Sequence, residues 1–363
     1  MSWETVSFED GVSSRGSGAA GLPQSQWEEG GKYPVIGQGA EFVEGWTNRV
    51  DLLQAPNPAV VLYGGHTRRA KFVDTPFVPG PNVKILEPKG KLDAKFLFYF
   101  LVQLPIASRG YADHFPEVRR RSIPVPPLAE QLRIAEVLDR AEALRAKRRA
   151  AFAQLDALTQ SLFLDLLRQA GKDVATVSIE DGMEAIIDYR GKSPTKTESG
   201  VPLVTARVVK GGELLEPNEF IAEEDYDDWM RRGFPKAGDV LFTTEAPLGE
   251  VAQLDGRKVA LAQRLLVLRG KPSLLDNTFL MHAMTAQVVR DQINARATGS
   301  TVRGIRQREL RKVMLPVPPI PLQREFARRV TAVEALKTAQ RASLAELDAL
   351  FATLQHRAFR GEL

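Results

Sequence analysis

The chain contains one long stretch twice. Residues 123–167 (IPVPPLAEQLRIAEVLDRAEALRAKRRAAFAQLDALTQSLFLDLL) and 315–359 (LPVPPIPLQREFARRVTAVEALKTAQRASLAELDALFATLQHRAF) align without a gap at an offset of 192, with 17 identities in 45 positions. A second match sets Glu4–Gly11 (ETVSFEDG) against Ala175–Gly182 (ATVSIEDG) at an offset of 171, with six of eight positions identical. Such repetition predicts two copies of one unit, about 1–172 and 173–363. The second copy carries 21 further residues in its interior, the difference between the two offsets.

The repeated stretch predicts a long helix. Pro126-Pro127 and Pro318-Pro319 end an extended segment and pre-set φ for a helix start. Beyond them no proline or glycine occurs before Gly171, and only Pro321 precedes Gly361. A helix of roughly 40 residues spans ~60 Å. Apolar residues follow a period near 3.5 in both copies. The first gives Ile134, Val137/Leu138, Ala141, Leu144, Ala151/Phe152, Leu155, Leu158 and Leu162; the second gives Phe326, Val330, Val333, Leu336, Leu344, Leu347, Leu350 and Leu354. That period predicts a coiled-coil seam. Both copies lapse at the same place, Arg148 and Gln340. The lapse reads either as a tolerated exposed position or as a polar layer that fixes register where two antiparallel helices cross.

The remaining segments read as mixed helix and strand. Ala59–Tyr63, Val83–Leu86, Asp239–Thr243 and Leu265–Leu268 are apolar runs between glycine and proline punctuation and predict buried strands. Apolar helices are expected at Lys95–Leu104 and Thr278–Asn294. The fold class is therefore α+β: mixed segments at 1–122 and 173–314, each followed by a long helix segment, at 123–172 and 315–363.

Several chemistries are excluded. Cysteine is absent, which removes disulfides, a thiol nucleophile, iron–sulfur clusters and thiolate zinc sites. No G-x-x-x-x-G-K-[ST] phosphate loop occurs. The one asparagine–proline pair, Asn57-Pro58, lacks the second proline and the aromatic of an amino-methyltransferase loop. Histidines 66, 114, 282 and 356 are scattered without metal-ligand spacing. The acidic run Glu223-Glu224-Asp225 with Asp227-Asp228 reads as a solvated face. The N-terminus lacks a basic and apolar leader, and the most apolar stretch, Phe96–Ala107, is too short to span a bilayer. A cytoplasmic binder without catalysis of its own is expected. The net charge of only +4 means that nucleic-acid contact must come from local basic clusters.

Such clusters occur in both copies. In the first, Gly65, His66, Thr67, Arg68 and Arg69 follow a predicted strand, and Lys32, Arg109 and Arg119 add charge. In the second, Ser300, Thr301, Arg303, Arg306 and Gln307 precede the proline segment, near the place of Arg119 in the first. Thr243, Thr244, Glu245, Gln263 and Arg264 follow or open predicted strands, while Lys192, Ser193, Thr195, Lys196 and Arg207 form a further polar and basic group. Arginine and glutamine can make bidentate contacts to base edges, and backbone near glycine can approach phosphate.

These residues lie within motifs that resemble the DNA specificity subunits of type I restriction–modification enzymes. The motifs are PVPPLAEQ (124–131), PVPPIPLQ (316–323), VPLVTARVVKGG (201–212), KAGDVLFTTEAPLGEVA (236–252), VALAQRLLVLRG (259–270), TGSTVRGIRQREL (298–310), YPVIGQGA (33–40) and YADHFPEVRR (111–120). The resemblance implies two target recognition domains, inverted relative to each other and separated by an antiparallel pair of the repeated helices. Each domain would read half of a bipartite, asymmetric double-stranded DNA target. It further implies that two methyltransferase subunits dock on the helices, that two restriction subunits complete the enzyme, and that S-adenosylmethionine, magnesium and ATP belong to those partners rather than to this chain. The competing reading is a coiled-coil scaffold or adaptor that never touches DNA; the modest charge favours it, and the paired basic loops oppose it.

Overall fold

A computed structural model describes residues 3–18, 21–189 and 193–363. The chain divides into two compact units, Met1–Ala151 with Gln340–Leu363, and Phe152–Ala339. Each unit holds one mixed segment and part of both long helices, α4 (Leu128–Ala170) and α10 (Ile320–Ala358).

In the first unit the order before α4 is β1 (Glu4–Ser7), α1 (Phe8–Gly11), β2 (Val12–Gly16), β3 (Tyr33–Ile36), β4 (Gly45–Thr47), β5 (Val60–Gly64), β6 (Ala70–Val73), β7 (Val78–Pro79), β8 (Val83–Pro88), α2 (Ala94–Gln103), α3 (Phe115–Arg119) and β9 (Ser122–Val125). The second unit runs β10 (Ala175–Ser178), α5 (Ile179–Gly182), β11 (Met183–Asp188), β12 (Val201–Val204), β13 (Val209–Lys210), β14 (Glu213–Leu214), β15 (Phe220–Ile221), α6 (Tyr226–Trp229), β16 (Val240–Thr243), β17 (Val251–Gln253), β18 (Ala260–Leu261), β19 (Leu265–Gly270), α7 (Asn277–Thr285), α8 (Gln287–Arg296), α9 (Gln307–Leu310) and β20 (Met314–Val317).

The two units share one topology. Each has a four-stranded antiparallel sheet, ordered β2-β8-β5-β6 in the first and β11-β19-β16-β17 in the second. Each also has a three-stranded sheet with one parallel pair, β4-β3-β7 and β15-β12-β18. A two-stranded ribbon, β1-β9 or β10-β20, joins the two ends of each mixed segment. The duplicated opening motif makes the first strand of that ribbon and a one-turn helix. Ser7 and Ser178 accept the backbone N–H of Asp10 and Asp181, which satisfies a helix-end donor. β5 and β16 are interior strands, which is why their residues are buried on both faces and show no polar alternation. The expected helix Thr278–Asn294 is instead two helices. Ala286 is extended (ψ 141°) between them. The bend lets Val289 and Ile293 bury and lets the Gln292 side chain bond both backbone groups of Met314 (3.0 Å each).

One glutamine per copy fastens each long helix to its mixed segment. Gln131 donates from Nε2 to the carbonyls of Lys91 (2.9 Å) and Pro126 (2.8 Å) and accepts the N–H of Asp93 (2.8 Å). Gln323 repeats this with Leu274 (2.9 Å), Pro318 (2.7 Å) and Asp276 (3.0 Å). Asp93 and Asp276 in turn cap α2 and α7. Both glutamines are fully buried, and all three bonds satisfy an amide that burial would otherwise penalise.

Within each unit the long helices run antiparallel. In the first, Arg145 Nε lies 2.6 Å from Asp348 Oδ1, and Arg148 Nη1 donates to Gln340 Oε1 (2.7 Å). In the second, Lys337 Nζ lies 2.7 Å from Asp156 Oδ1, and the rings of Phe163 and Phe326 meet at 5.9 Å. The inward positions of α10 are Gln323, Phe326, Val330, Val333, Lys337, Gln340, Leu344, Leu347, Phe351, Leu354 and Ala358, a strict alternation of three and four. In α4 the equivalent places are Gln131, Ile134, Leu138, Ala141, Arg145, Arg148, Phe152, Leu155, Thr159, Leu162 and Leu166. This corrects the expected seam. Leu144, Leu158, Leu336 and Leu350 are 54, 43, 53 and 49% exposed, each one residue ahead of an inward position. Arg145 and Lys337 go inward instead, because long aliphatic stems can bury while their charged ends find partners. The Arg145 guanidinium lies 4.3 Å from the Phe351 ring centre.

Candidate nucleic-acid interface

In the second unit the loops that follow β18 and α8 meet at the end of β16. Thr244 N–H donates to the Arg264 carbonyl, and the Thr244 carbonyl accepts Ile305 N–H, both at 2.9 Å. Glu245 bridges Gly304, and Thr298 and Gly304 exchange two hydrogen bonds that close the 298–304 loop. One strand end thus carries the loops of Gln263-Arg264 on one side and Arg303–Arg306 on the other.

Two clefts open there. One of about 500 Å³ is lined by Thr244, Glu245, Gln263, Arg264 and Arg306, together with residues of the 298–305 loop. The other, about 320 Å³, is lined by Ser193, Lys196, Arg207, Gln263 and Arg264 among others. Residues spread over more than a hundred positions of sequence therefore share one surface. Lys196 Nζ lies 2.9 Å from Glu219, and Arg207 is exposed. Thr195, Ser300, Thr301 and Arg303 are exposed beside these clefts in sequence but do not line them, and Arg303 Nη2 donates to the Asn294 carbonyl (2.7 Å). Gln307 is half-buried and opens α9. Lys192 lies outside the described residues.

Thr243 is a correction to the expected contacts. It is fully buried, and its hydroxyl accepts Glu250 N–H (2.9 Å), so it finishes the strand and offers nothing to a ligand. Thr244 is likewise buried and acts through its backbone.

In the first unit the equivalent surface is the β5–β6 hairpin. Arg68 adopts a left-handed φ of 59° and its Nη1 donates to the Ile106 carbonyl (2.8 Å). His66 stacks on Tyr111 at 4.6 Å between ring centres, and its Nδ1 is 3.0 Å from the Tyr111 carbonyl. Tyr111 is 81% exposed and was not singled out among the candidate residues, although it lies in the motif YADHFPEVRR. Behind it, buried His114 takes Arg109 N–H at Nε2 and bonds the Gly65 carbonyl through Nδ1, both at 3.0 Å, which assigns the proton to Nδ1. Gly65 is itself buried, with Asp113 packed where a Cβ would stand, so its part is close approach rather than contact with a ligand. Thr67 is half-buried with no hydroxyl partner among the described residues, and Arg69 is exposed. Burial pushes the nearby Tyr63 phenol up to about 12, so it stays protonated at neutral pH. Lys32 and Arg119 are not drawn into this group: Lys32 Nζ lies 5.5 Å from the Tyr33 ring centre, and Arg119 pairs with Glu9.

A family model for the type I restriction modification DNA specificity domain matches this chain twice, at residues 2–151 and 195–348. The chain belongs to that family. Among similar sequences, a putative type I restriction enzyme specificity subunit from Methanocaldococcus jannaschii is 21% identical over 71% of this chain, and the match spans 65% of that relative's own length. The EcoKI specificity subunit of Escherichia coli is 24% identical over 67% of this chain and 58% of its own length. The crystal structure of a type I restriction–modification S subunit from M. genitalium shares the fold, with a TM-score of 0.63 at 15% identity, covering 99% of this chain and 96% of that one.

Strand register shows where the loop surfaces of the two units differ. Ile36 and Pro79 pair with their neighbours as Val204 and Leu261 do, and Gly80 N–H reaches the Ile36 carbonyl as Ala262 N–H reaches that of Val204 (2.9 Å each). Gly80-Pro81-Asn82 therefore stands where the second unit has Ala262-Gln263-Arg264. The pairs Gly64–Val83 and Thr243–Leu265 place His66 where the second unit has Glu245. No helix among the described residues is long and apolar enough to cross a membrane.

Proposed function

We propose that this chain binds double-stranded DNA at a bipartite, asymmetric sequence, one half read by each unit, and directs the partner subunits of a type I restriction–modification system to it. The observation that carries this reading is one topology built twice with different residues at equivalent loop positions. A scaffold that only joined proteins would not need polar and basic side chains gathered at the same strand ends of both copies, around Gln263 and Arg264 in one and His66 to Arg69 in the other. The two modification subunits dock along the long helices, and restriction subunits complete the assembly. S-adenosylmethionine, magnesium and ATP bind to those partners, and the chain contributes recognition rather than catalysis. Such a task places it in the cytoplasm with the DNA.

The test is the methylated motif of host genomic DNA, read with and without this gene. A two-part motif that disappears with the gene supports the reading; an unchanged methylome overturns it. Inserting one heptad after both Arg148 and Gln340 keeps the seam intact. It should lengthen the unread spacer and leave both half-sites unchanged, whereas altered half-site bases would count against readers confined to the two mixed segments.

A further inference from the structure

We propose that Arg264 reads a guanine in the half-site addressed by the second unit, and that Glu245 is the positioning residue holding its guanidinium for that contact. The proposal rests on the DNA-binding reading above and names the base class and the residues.

Backbone conformation is the first ground. Arg264 has φ 76°, in the left-handed region, where a side chain with a Cβ is disfavoured. The first unit adopts the same turn at the equivalent residue, Asn82, with φ 60°. Asparagine tolerates that conformation and arginine does not gain from it, so the turn itself does not call for arginine. An outlier kept against local preference points to a task for its side chain.

Side-chain geometry is the second ground. Arg264 Nε lies 2.8 Å from Glu245 Oε1, and the two side chains are 50% and 42% exposed. Among the described residues neither Nη1 nor Nη2 of Arg264 has a hydrogen-bond partner. A guanidinium held at Nε presents its two terminal N–H groups outward as a fork. That fork matches the O6 and N7 acceptors on the major-groove edge of guanine. Both ends of the brace are fixed: the Arg264 carbonyl by Thr244 N–H, and Glu245 by its bridge to Gly304.

Charge is the third ground. A carboxylate at the same site repels phosphate, so the pair is unsuited to a simple backbone contact. Arg264 also lines both clefts, where a groove-facing edge could enter.

The test is selection of bound sequences from a random duplex DNA pool by the full chain together with its modification subunits. Wild type should enrich a guanine at one position of one half-site. R264A should lose that preference alone, by about ten- to a hundred-fold, while the other half-site stays intact as an internal control for folding. E245Q should keep the same base with a several-fold weaker preference, and E245A/R264A should behave like R264A alone. A uniform loss over all positions in R264A would assign the arginine to phosphate and overturn the proposal. If E245A relaxed a different position from R264A, Glu245 would itself be a reader, contacting cytosine N4, and the positioning role would fall. If wild type enriched no bipartite motif, the DNA-binding reading would fail together with this one.

Discussion

The first and second units use the same strand ends for unlike surfaces. In the second, a braced arginine and a glutamine occupy the turn before β19, between two polar clefts. In the first, Pro81 and Asn82 fill that turn, and the polar and aromatic groups move to the hairpin of His66 and the exposed ring of Tyr111. Sheet order, ribbon, capping serine and glutamine fastener are common to both. The scaffold is thus insensitive to what its loop ends carry, and one architecture presents two different surfaces. The strands are fixed by burial, while the turns need only the right backbone conformation.

The largest expected effect concerns how each scaffold holds its sheet. The second unit buries Arg269 against Asp239 (2.7 Å), and the first buries Lys71 against Glu44 (2.8 Å) at a different place. Removing one partner leaves the other charge buried and unpaired. R269M should destabilise the second unit by about 3–5 kcal/mol, and K71M the first by a similar amount. Hydrogen exchange resolved by unit checks this; equal loss of protection in both units from either variant would show that the scaffolds do not hold independently.

Acid sensitivity should separate the units next. His282 in α7 occupies the place of Tyr99 in α2, six residues past the capping Asp276 and Asp93 respectively. Burial, with Lys337 close by, pushes His282 down to about 4, so it is neutral in the folded chain at pH 5–7. Lys337 is paired with Asp156 and Glu334, so its charge persists over that range. The unfolded histidine takes up its proton near pH 6.5. Stability is therefore intact above pH 6.5 and falls as pH drops toward 4, by about 3 kcal/mol. Tyr99, pushed upward by burial and by its 2.6 Å bond to Asp139, contributes nothing in that window. Thermal melts from pH 7 to 4.5 should show the second unit weakening first, and H282Y should flatten that limb; an unchanged acid limb would remove His282 as its cause.

Smaller effects follow at the helix pair and the turn. R148L/Q340L replaces a half-buried polar contact with an apolar one and should gain about 1 kcal/mol while admitting other registers, as polar seam residues trade stability for register. Paramagnetic distance measurements on spin-labelled helices would check it; a single unchanged register would show that the polar layer does not select it. R264N should raise stability by a few tenths of a kcal/mol to ~1 kcal/mol, because asparagine suits the left-handed turn. A drop in melting temperature would mean that the Glu245 contact outweighs the backbone cost.

Much of the fold was legible from repetition and periodicity alone. Two copies, α+β class and two long helices follow from PVPP, the ensuing proline-poor run and the heptads. The seam was misread by one residue because leucine outweighed arginine, lysine and threonine in judging which side chains go inward. Leu144 and Leu158 looked like core, yet Arg145 and Thr159 take those places. At the second unit's interface, the residue types were legible and their grouping was not. Glu245 and Arg264 are brought together by strand register, which sequence does not display when the copies differ by an interior insertion. Thr243 ends a strand predicted to be buried and was also named as a candidate contact; the structure buries it, with its hydroxyl taking Glu250 N–H.

The ribbons β1-β9 and β10-β20 zip the two ends of each mixed segment side by side, next to the start of a long helix. A segment tethered this way behaves as a cassette. Recombination within the duplicated ETVSFEDG-type and PVPP stretches would exchange its interior while leaving Gln131 or Gln323 and the rest of the long helix in place. A single genetic event would then change the loop surface of one unit and leave the other as it was.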